Sequence, residues 1–317
     1  MVRKTPEDYL IIDCHTHLWT TPQIGSRAVT YVELDKYCGG HDGTVEDALA
    51  AMKQDHVSKT IMMNWIPTSL MRYAALERLP ADTLSFAEAE KEIARTMIGR
   101  TQRRNAWTCA VAQEHPELVP FITVDVNMTP EEMRAEILDK VRDHGARGMK
   151  LHHAFNGLMA NDRRLYPAYA TMQELDLPIM CHSGVPPVAG CPHPPCLTEP
   201  KLFTDILTDF PRLRLVLAHV GEGYYDQARY LARKFPQLNF DCTAVTRPYP
   251  FANSLDNADF VKLVRDVGVE RVVFGGEFPM FGGIRREALQ NIIDMDFTEE
   301  EKRMLLGENA LRVYKLA

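Results

Sequence analysis

Two histidines two residues apart close an apolar run, Ile11-Ile12-Asp13-Cys14-His15-Thr16-His17. Side chains on an extended strand alternate between its two sides, so both imidazoles project the same way and can reach one ion. Three more groups of ligand type follow apolar runs in the same manner. His182 follows Leu177-Pro178-Ile179-Met180-Cys181, His219 follows Leu215-Val216-Leu217-Ala218, and Glu277 stands just beyond Arg271-Val272-Val273-Phe274-Gly275. Taken singly, each has an ordinary reading as a core histidine bonded to a carbonyl or a solvated carboxylate. Their coincidence at the ends of apolar runs points to a metal site. His15, His17, His182 and Glu277 would give one ion three imidazoles and a carboxylate, a donor set suited to Zn²⁺, Mn²⁺ or Fe²⁺. Zinc is the first expectation, with one or two ions. Such an ion lowers the pKa of a bound water from 15.7 toward about 7. Glu277 would then take the water's proton and return it to a leaving group. His219 is either a ligand to a second ion or a free imidazole that polarises a substrate carbonyl.

These residues need elements that bring them together. Strand-like runs cover Tyr9–Cys14, Lys59–Asn64, Leu118–Val126, Ala146–Leu151, Leu177–Cys181, Leu213–Ala218, Leu238–Cys242 and Arg271–Gly275. Most are near-continuously hydrophobic, the pattern of parallel strands buried on both faces. Helical periods fall between them at Val45–Asp55, about 86–114, Pro130–His144, Leu165–Leu175, Glu199–Asp209, Gly223–Lys234 and Asp256–Val267. Two more, roughly 283–293 and Thr298–Tyr314, follow the last strand. Eight alternating strand–helix units predict an α/β chain closed as a single (β/α)₈ TIM barrel, with the metal site at the C-terminal face of its strands. A doubly wound open sheet would carry a Gly-rich phosphate loop after its first strand, where this chain has His-Thr-His. No Pro/Gly/Ser-rich linker divides the 317 residues. We therefore expect one domain over 1–317, with loops at 18–44 and 66–86 on the catalytic side.

At this point the residues resemble a family. His15-Thr16-His17, Lys150, His182, His219 and a carboxylate after the eighth strand are similar to the amidohydrolase superfamily. The resemblance is to its amidohydrolase-related (amidohydrolase 2) branch, with members like aminocarboxymuconate-semialdehyde decarboxylase. That branch includes decarboxylases of aromatic acids, lactonases and C–C hydrolases. The closing Gly307-Glu308-Asn309-Ala310-Leu311-Arg312-Val313-Tyr314 also resembles its C-terminal signature, and the motifs occur in order along essentially the whole chain. The resemblance implies a metal role for Lys150 in Gly148-Met149-Lys150-Leu151-His152-His153. In binuclear members the strand-4 lysine is carboxylated and bridges two metals; in mononuclear ones it orients substrate. Alternation puts Lys150 and His152 on one face and His153 on the other. One departure stands out, because Gly275-Gly276-Glu277-Phe278-Pro279 supplies Glu where the family has Asp. The extra methylene lets the carboxylate reach further or bridge two ions.

The function expected is a metal-dependent hydrolase acting on a C–O, C–N or C–C bond of a small organic substrate. The alternatives are non-oxidative decarboxylation of an aromatic or unsaturated acid, a binuclear non-haem iron oxygenase, and an inactive metal-binding subunit. Arg247 in Thr246-Arg247-Pro248-Tyr249 could hold an anionic substrate group by a bidentate contact. Trp19, Trp65 and His152 are further substrate contacts on the catalytic side. Cys191, His193 and Cys196 could bind a structural zinc or pair as a disulfide, although the intervening prolines favour a stiff lid. The chain carries 43 acidic and 36 basic residues, a formal charge of −7, which argues against nucleic acid or an anionic membrane held by bulk charge. No apolar stretch approaches a membrane span. Seven scattered cysteines suit a reducing cytoplasm. A homo-oligomer, most simply a dimer, is expected.

Overall fold

A computed structural model describes residues 3–64, 66–80, 82–83, 85–185 and 195–316. The eight strands are β1 (Ile11–His17), β2 (Val57–Met63), β3 (Leu118–Ile122), β4 (Gly148–Leu151), β5 (Pro178–Cys181), β6 (Arg214–Leu217), β7 (Asn239–Asp241) and β8 (Val272–Val273). They form one sheet in sequential order. Every neighbouring pair is parallel. The ring closes between β8 and β1 through main-chain bonds from Cys14 N–H to Phe274 O (2.9 Å) and from His17 N–H to Phe278 O (2.7 Å). This is the expected TIM barrel.

Period and burial explain the layers. Strand residues pointing inward, among them Ile12, Ile61, Phe121, Met180, Val216 and Val273, make one buried cluster that Val313 and Tyr314 join from the C-terminal segment. Residues pointing outward, such as Ile11, Met62, Ile179, Leu215 and Phe240, pack against the helix ring in a second cluster. Such two-sided burial is why the strands read as unbroken apolar runs.

Helix boundaries follow local chemistry. Helix Pro130–Arg142 starts with a reciprocal capping box, Thr129 with Glu132, and a proline in its first turn. The 29-residue helix Phe86–Glu114 starts where Ser85 caps Glu88 N–H. Three expectations need correction. The first strand spans Ile11–His17 rather than Tyr9–Cys14, with both histidines on it as alternation requires. Helix Pro22–Tyr31 occupies part of the stretch expected as loop, begun by the Thr21 side chain and Pro22. Helix Thr68–Leu76 interrupts the other expected loop, and only Thr68 in it is buried, so its weak apolar signal escaped the periodicity.

Candidate metal centre

β1 delivers His15 and His17 with both rings turned to the barrel axis. The Nδ1 of His15 bonds Asp241 Oδ2 at 2.5 Å, and the other Asp241 oxygen accepts Thr243 N–H at 2.6 Å. A carboxylate on Nδ1 fixes the ring's orientation and leaves Nε2 facing the centre. That Nε2 stands 3.1 Å from Lys150 Nζ and 3.3 Å from Glu277 Oε2. His17 Nε2 lies 3.3 Å from Glu277 Oε1, so the one carboxylate spans both histidines of β1. On the far side, His219 gives Nδ1–H to Thr243 O at 3.0 Å and places Nε2 3.2 Å from His182 Nδ1. One ligand atom from each of His15, His219 and Glu277 lies within 4.8 Å of the other two.

The loops that hold these groups adopt unusual backbone. His219 (φ 60°), Ala244 (φ 60°) and Glu277 (φ 54°) are all left-handed, a conformation costing non-glycine residues of order 1–3 kcal/mol and concentrated at functional sites. Their side chains reach the axis because each chain turns sharply at its strand end.

The donor set fits a divalent cation. His182 Nε2 and Glu277 Oε2 are buried and without a hydrogen-bond partner among the described residues. Buried polar atoms are normally satisfied, and two such atoms at the centre of a histidine cluster are what a cation would satisfy. Burial pushes the His15, His152 and His182 rings well below their usual range, and His17 down as well, so all four stay neutral and able to donate a lone pair. Burial would raise the Glu277 carboxyl, but the hydrogen bond from His17 and the imidazoles around it favour the ionised form, so it stays a carboxylate. Lys150, fully buried, is pushed down by desolvation against the pull of Glu277 and Asp241.

A cavity of about 360 Å³ opens onto these groups. Its walls are mostly apolar, from Val32, Leu34, Phe155, Phe251, Met280 and Phe281, with Glu33, Lys36, Glu222 and Asn253 as polar points. Lys150 and His152 both line it, on the shared face that alternation predicts, and the His152 ring stacks 4.0 Å from that of His182. His153 points the other way, its Nε2 3.0 Å from the Tyr169 hydroxyl.

Two expected substrate contacts are elsewhere. Arg247 is exposed and lines a separate surface cleft with Arg3 and Asp294. Its carbonyl is held by Asn291 at 2.6 Å, and Pro250, Phe251 and Ala252 form the cavity wall in its place. Trp19 is buried behind His17, with ring centres 6.4 Å apart and its main-chain N–H donated to Gly43 O at 2.8 Å, so it backs the ligand and does not line the cavity. Trp65, Cys191 and His193 lie outside the described residues, and Cys196 is an exposed free thiol.

The sequence reading missed Asp241 and Glu222. Asp241 ends β7 as His182 follows β5, so its place at a strand end was a usable signal. Glu222 follows His219 by three residues through a left-handed turn and has no such signal. It is buried in the cavity wall, and desolvation raises its carboxyl pKa against the pull of His219 and a bond to Asn253.

Residues 12–316, including every group of this centre, match the family described as Amidohydrolase. The chain belongs to that family. As an amidohydrolase it is a metal-dependent enzyme acting on small molecules. Its barrel is similar to that of a TIM-barrel protein of uncharacterised function from Bordetella bronchiseptica, with TM-score 0.71, 19% identity, and 96% of this chain and 97% of that one covered. It is also similar to 5-carboxyvanillate decarboxylase from Novosphingobium aromaticivorans, a manganese complex, with TM-score 0.69, 15% identity and both chains fully covered. A third likeness is to 4-oxalomesaconate hydratase from Rhodopseudomonas palustris, with TM-score 0.63, 19% identity and 96% of each chain covered. At these identities the amidohydrolase shares a fold with all three. No curated protein matches it.

Proposed function

We propose that this amidohydrolase hydrolyses a small, largely apolar organic molecule at a divalent cation held by His15, His17, His219 and Glu277, with His182 beside them. The observation that carries the reading is that two carboxyl groups, Glu277 and Glu222, line one cavity together with the histidines of the centre. Glu277 stays ionised, while burial raises Glu222. Two carboxyls pushed apart in this way are suited to base and acid roles. A bound ion would act as Lewis acid and acidify water. Glu277 takes the water's proton on the carboxylate that spans His15 and His17. Glu222, which lines the same cavity, gives a proton to the leaving group. The apolar side chains around the cavity exclude water and hold the substrate's hydrocarbon part. The imidazole-rich donors suit zinc, with manganese the competitor.

A second reading, non-oxidative decarboxylation, is favoured by Lys36. Lys36 lines the cavity with its ammonium 5.0 Å from the Tyr37 ring centre and no ion-pair partner among the described residues, and it could hold a substrate carboxylate. The structurally similar decarboxylases act on aromatic acids.

Metal content and product analysis together test these readings. Purified protein is assayed on aryl esters, lactones and hydroxybenzoates, with carbon dioxide and dioxygen monitored. Hydrolysis with one zinc or manganese per chain supports the proposal. Carbon dioxide release promotes the second reading. Two irons with dioxygen consumption would replace both by an oxygenase, and stoichiometric metal without turnover would leave a binding subunit.

A further inference from the structure

Glu277 reaches the histidines of β1 because the loop carrying it is stitched to that strand. Two main-chain rungs, Cys14 to Phe274 and His17 to Phe278, bracket Gly275, Gly276 and Glu277, which bulge off the ladder. β1 shifts its own register against β2 over the same interval, between Asp13 and Thr16. A bulge leaves main-chain N–H groups without ladder partners, and buried ones must find another acceptor. Here the acceptor is a side chain. Asp13 Oδ1 takes the Gly276 N–H at 2.7 Å and the His15 N–H at 3.0 Å. Its second oxygen faces Arg285 Nη1 at 3.3 Å, and Arg285 Nε bonds Asp55 Oδ2 at 2.8 Å. Asp13 is fully buried and Arg285 is 1% exposed.

The surrounding fit leaves no slack. A Cβ on Gly275 would stand 2.7 Å from His15 Cβ, and one on Gly276 would stand 2.5 Å from Asp13 Oδ2. The Gly-Gly pair before Glu277 is therefore what lets the loop lie against His15 and Asp13.

We propose that Asp13 is a positioning residue: a single buried carboxylate oxygen ties the His15 main chain to the Glu277 loop and so sets the separation of imidazole and carboxylate at the centre. The inference rests on the cation-site reading only for its affinity measurement. Asp55 supplies the control, since it is also buried and also bonds Arg285, yet it is hydrogen-bonded to neither His15 nor Gly276.

Asp13→Ala, Asp13→Asn and Asp55→Asn are compared by two measurements. The first is amide hydrogen exchange on metal-free protein. Asp13→Ala exposes the His15 and Gly276 amides to fast exchange, and Asp13→Asn does so partially, because the amide oxygen still accepts while its NH₂ opposes Arg285. Asp55→Asn leaves both amides protected although its Tm falls. The second is Mn²⁺ affinity by chelator competition, which drops about 10–100-fold in the Asp13 variants, the cost usual for losing a group that orients a ligand, and less than twofold in Asp55→Asn. If Asp13→Ala does not fold, Asp13→Asn against Asp55→Asn decides. Equal exchange at the two amides in both of those variants overturns the proposal, as does equal loss of affinity. A wild-type chain that binds no divalent ion overturns the metal reading instead, and the exchange measurement still decides the role of Asp13.

Discussion

Replacing Asp241 by Asn alters one oxygen in the middle of the barrel, and its consequences follow from two distances. In the native chain one carboxylate oxygen accepts from His15 Nδ1 at 2.5 Å and the other from Thr243 N–H at 2.6 Å. An amide offers one acceptor for these two donors. If its oxygen keeps Thr243, its NH₂ faces His15, whose proton must move to Nε2, and the lone pair aimed at the centre is lost. If its oxygen keeps His15, the NH₂ opposes the Thr243 N–H, and a buried donor goes unpaired at a cost of about 1–3 kcal/mol. Both outcomes penalise the ligand form of His15. Removing such an orienting carboxylate typically lowers metal affinity about 10–100-fold, or about 1.4–2.8 kcal/mol. The assay is calorimetric titration of metal-free Asp241→Asn with Mn²⁺ and Zn²⁺, alongside ¹⁵N NMR of the His15 ring to read which nitrogen carries the proton. An affinity within twofold of wild type, with the proton still on Nδ1, would refute the reasoning.

Other perturbations separate the roles of neighbouring groups. Glu277→Gln should cost at least about tenfold in metal affinity and about 10²–10⁴-fold in turnover, since the base is lost. Glu277→Asp, a methylene short of spanning His15 and His17, should retain metal but turn over more slowly; full activity in the Asp variant would show that the longer side chain is incidental. Glu222→Gln should lower turnover about 10²-fold. In wild type the rate should fall as pH rises through the raised Glu222 pKa, and this alkaline limb should vanish in the Gln variant. Metal-free protein should lose stability below pH about 6.5. Unfolded histidines take protons there, while His15, His17, His152 and His182 refuse them and His153 waits until about 4. The slope approaches about 1.4 kcal/mol per pH unit for each such histidine, and a flat Tm between pH 7 and 5 would contradict the burial of these rings.

What the sequence disclosed follows from what each group's position requires. A parallel strand buried on both faces writes itself as an apolar run, so β1, β5 and β6 and their terminal histidines were legible by period alone. Asp241 obeys the same rule, but β7 is three residues long and its carboxylate was passed over as a strand-end residue without a motif. The cavity wall was not legible. Phe251 and Glu222 arrive through turns that no period encodes, and Arg247 is carried out of the site by a loop of the kind that left it ambiguous.

Glu277 shows where the two kinds of information meet. From the chain alone, a Glu in place of the family's Asp reads equally as drift or as a longer reach. Its backbone is left-handed at φ 54°, and the preceding Gly275 and Gly276 press the loop against His15 and Asp13. With the main chain held so near β1, reach to one imidazole needs no additional length. The extra methylene matters because the two oxygens stand 3.3 Å from His15 and 3.3 Å from His17 at once. One carboxylate then faces both imidazoles, and its Oε2, beside His15, has no hydrogen-bond partner among the described residues. The substitution and the glycines before it make sense together, which is why neither could be read alone.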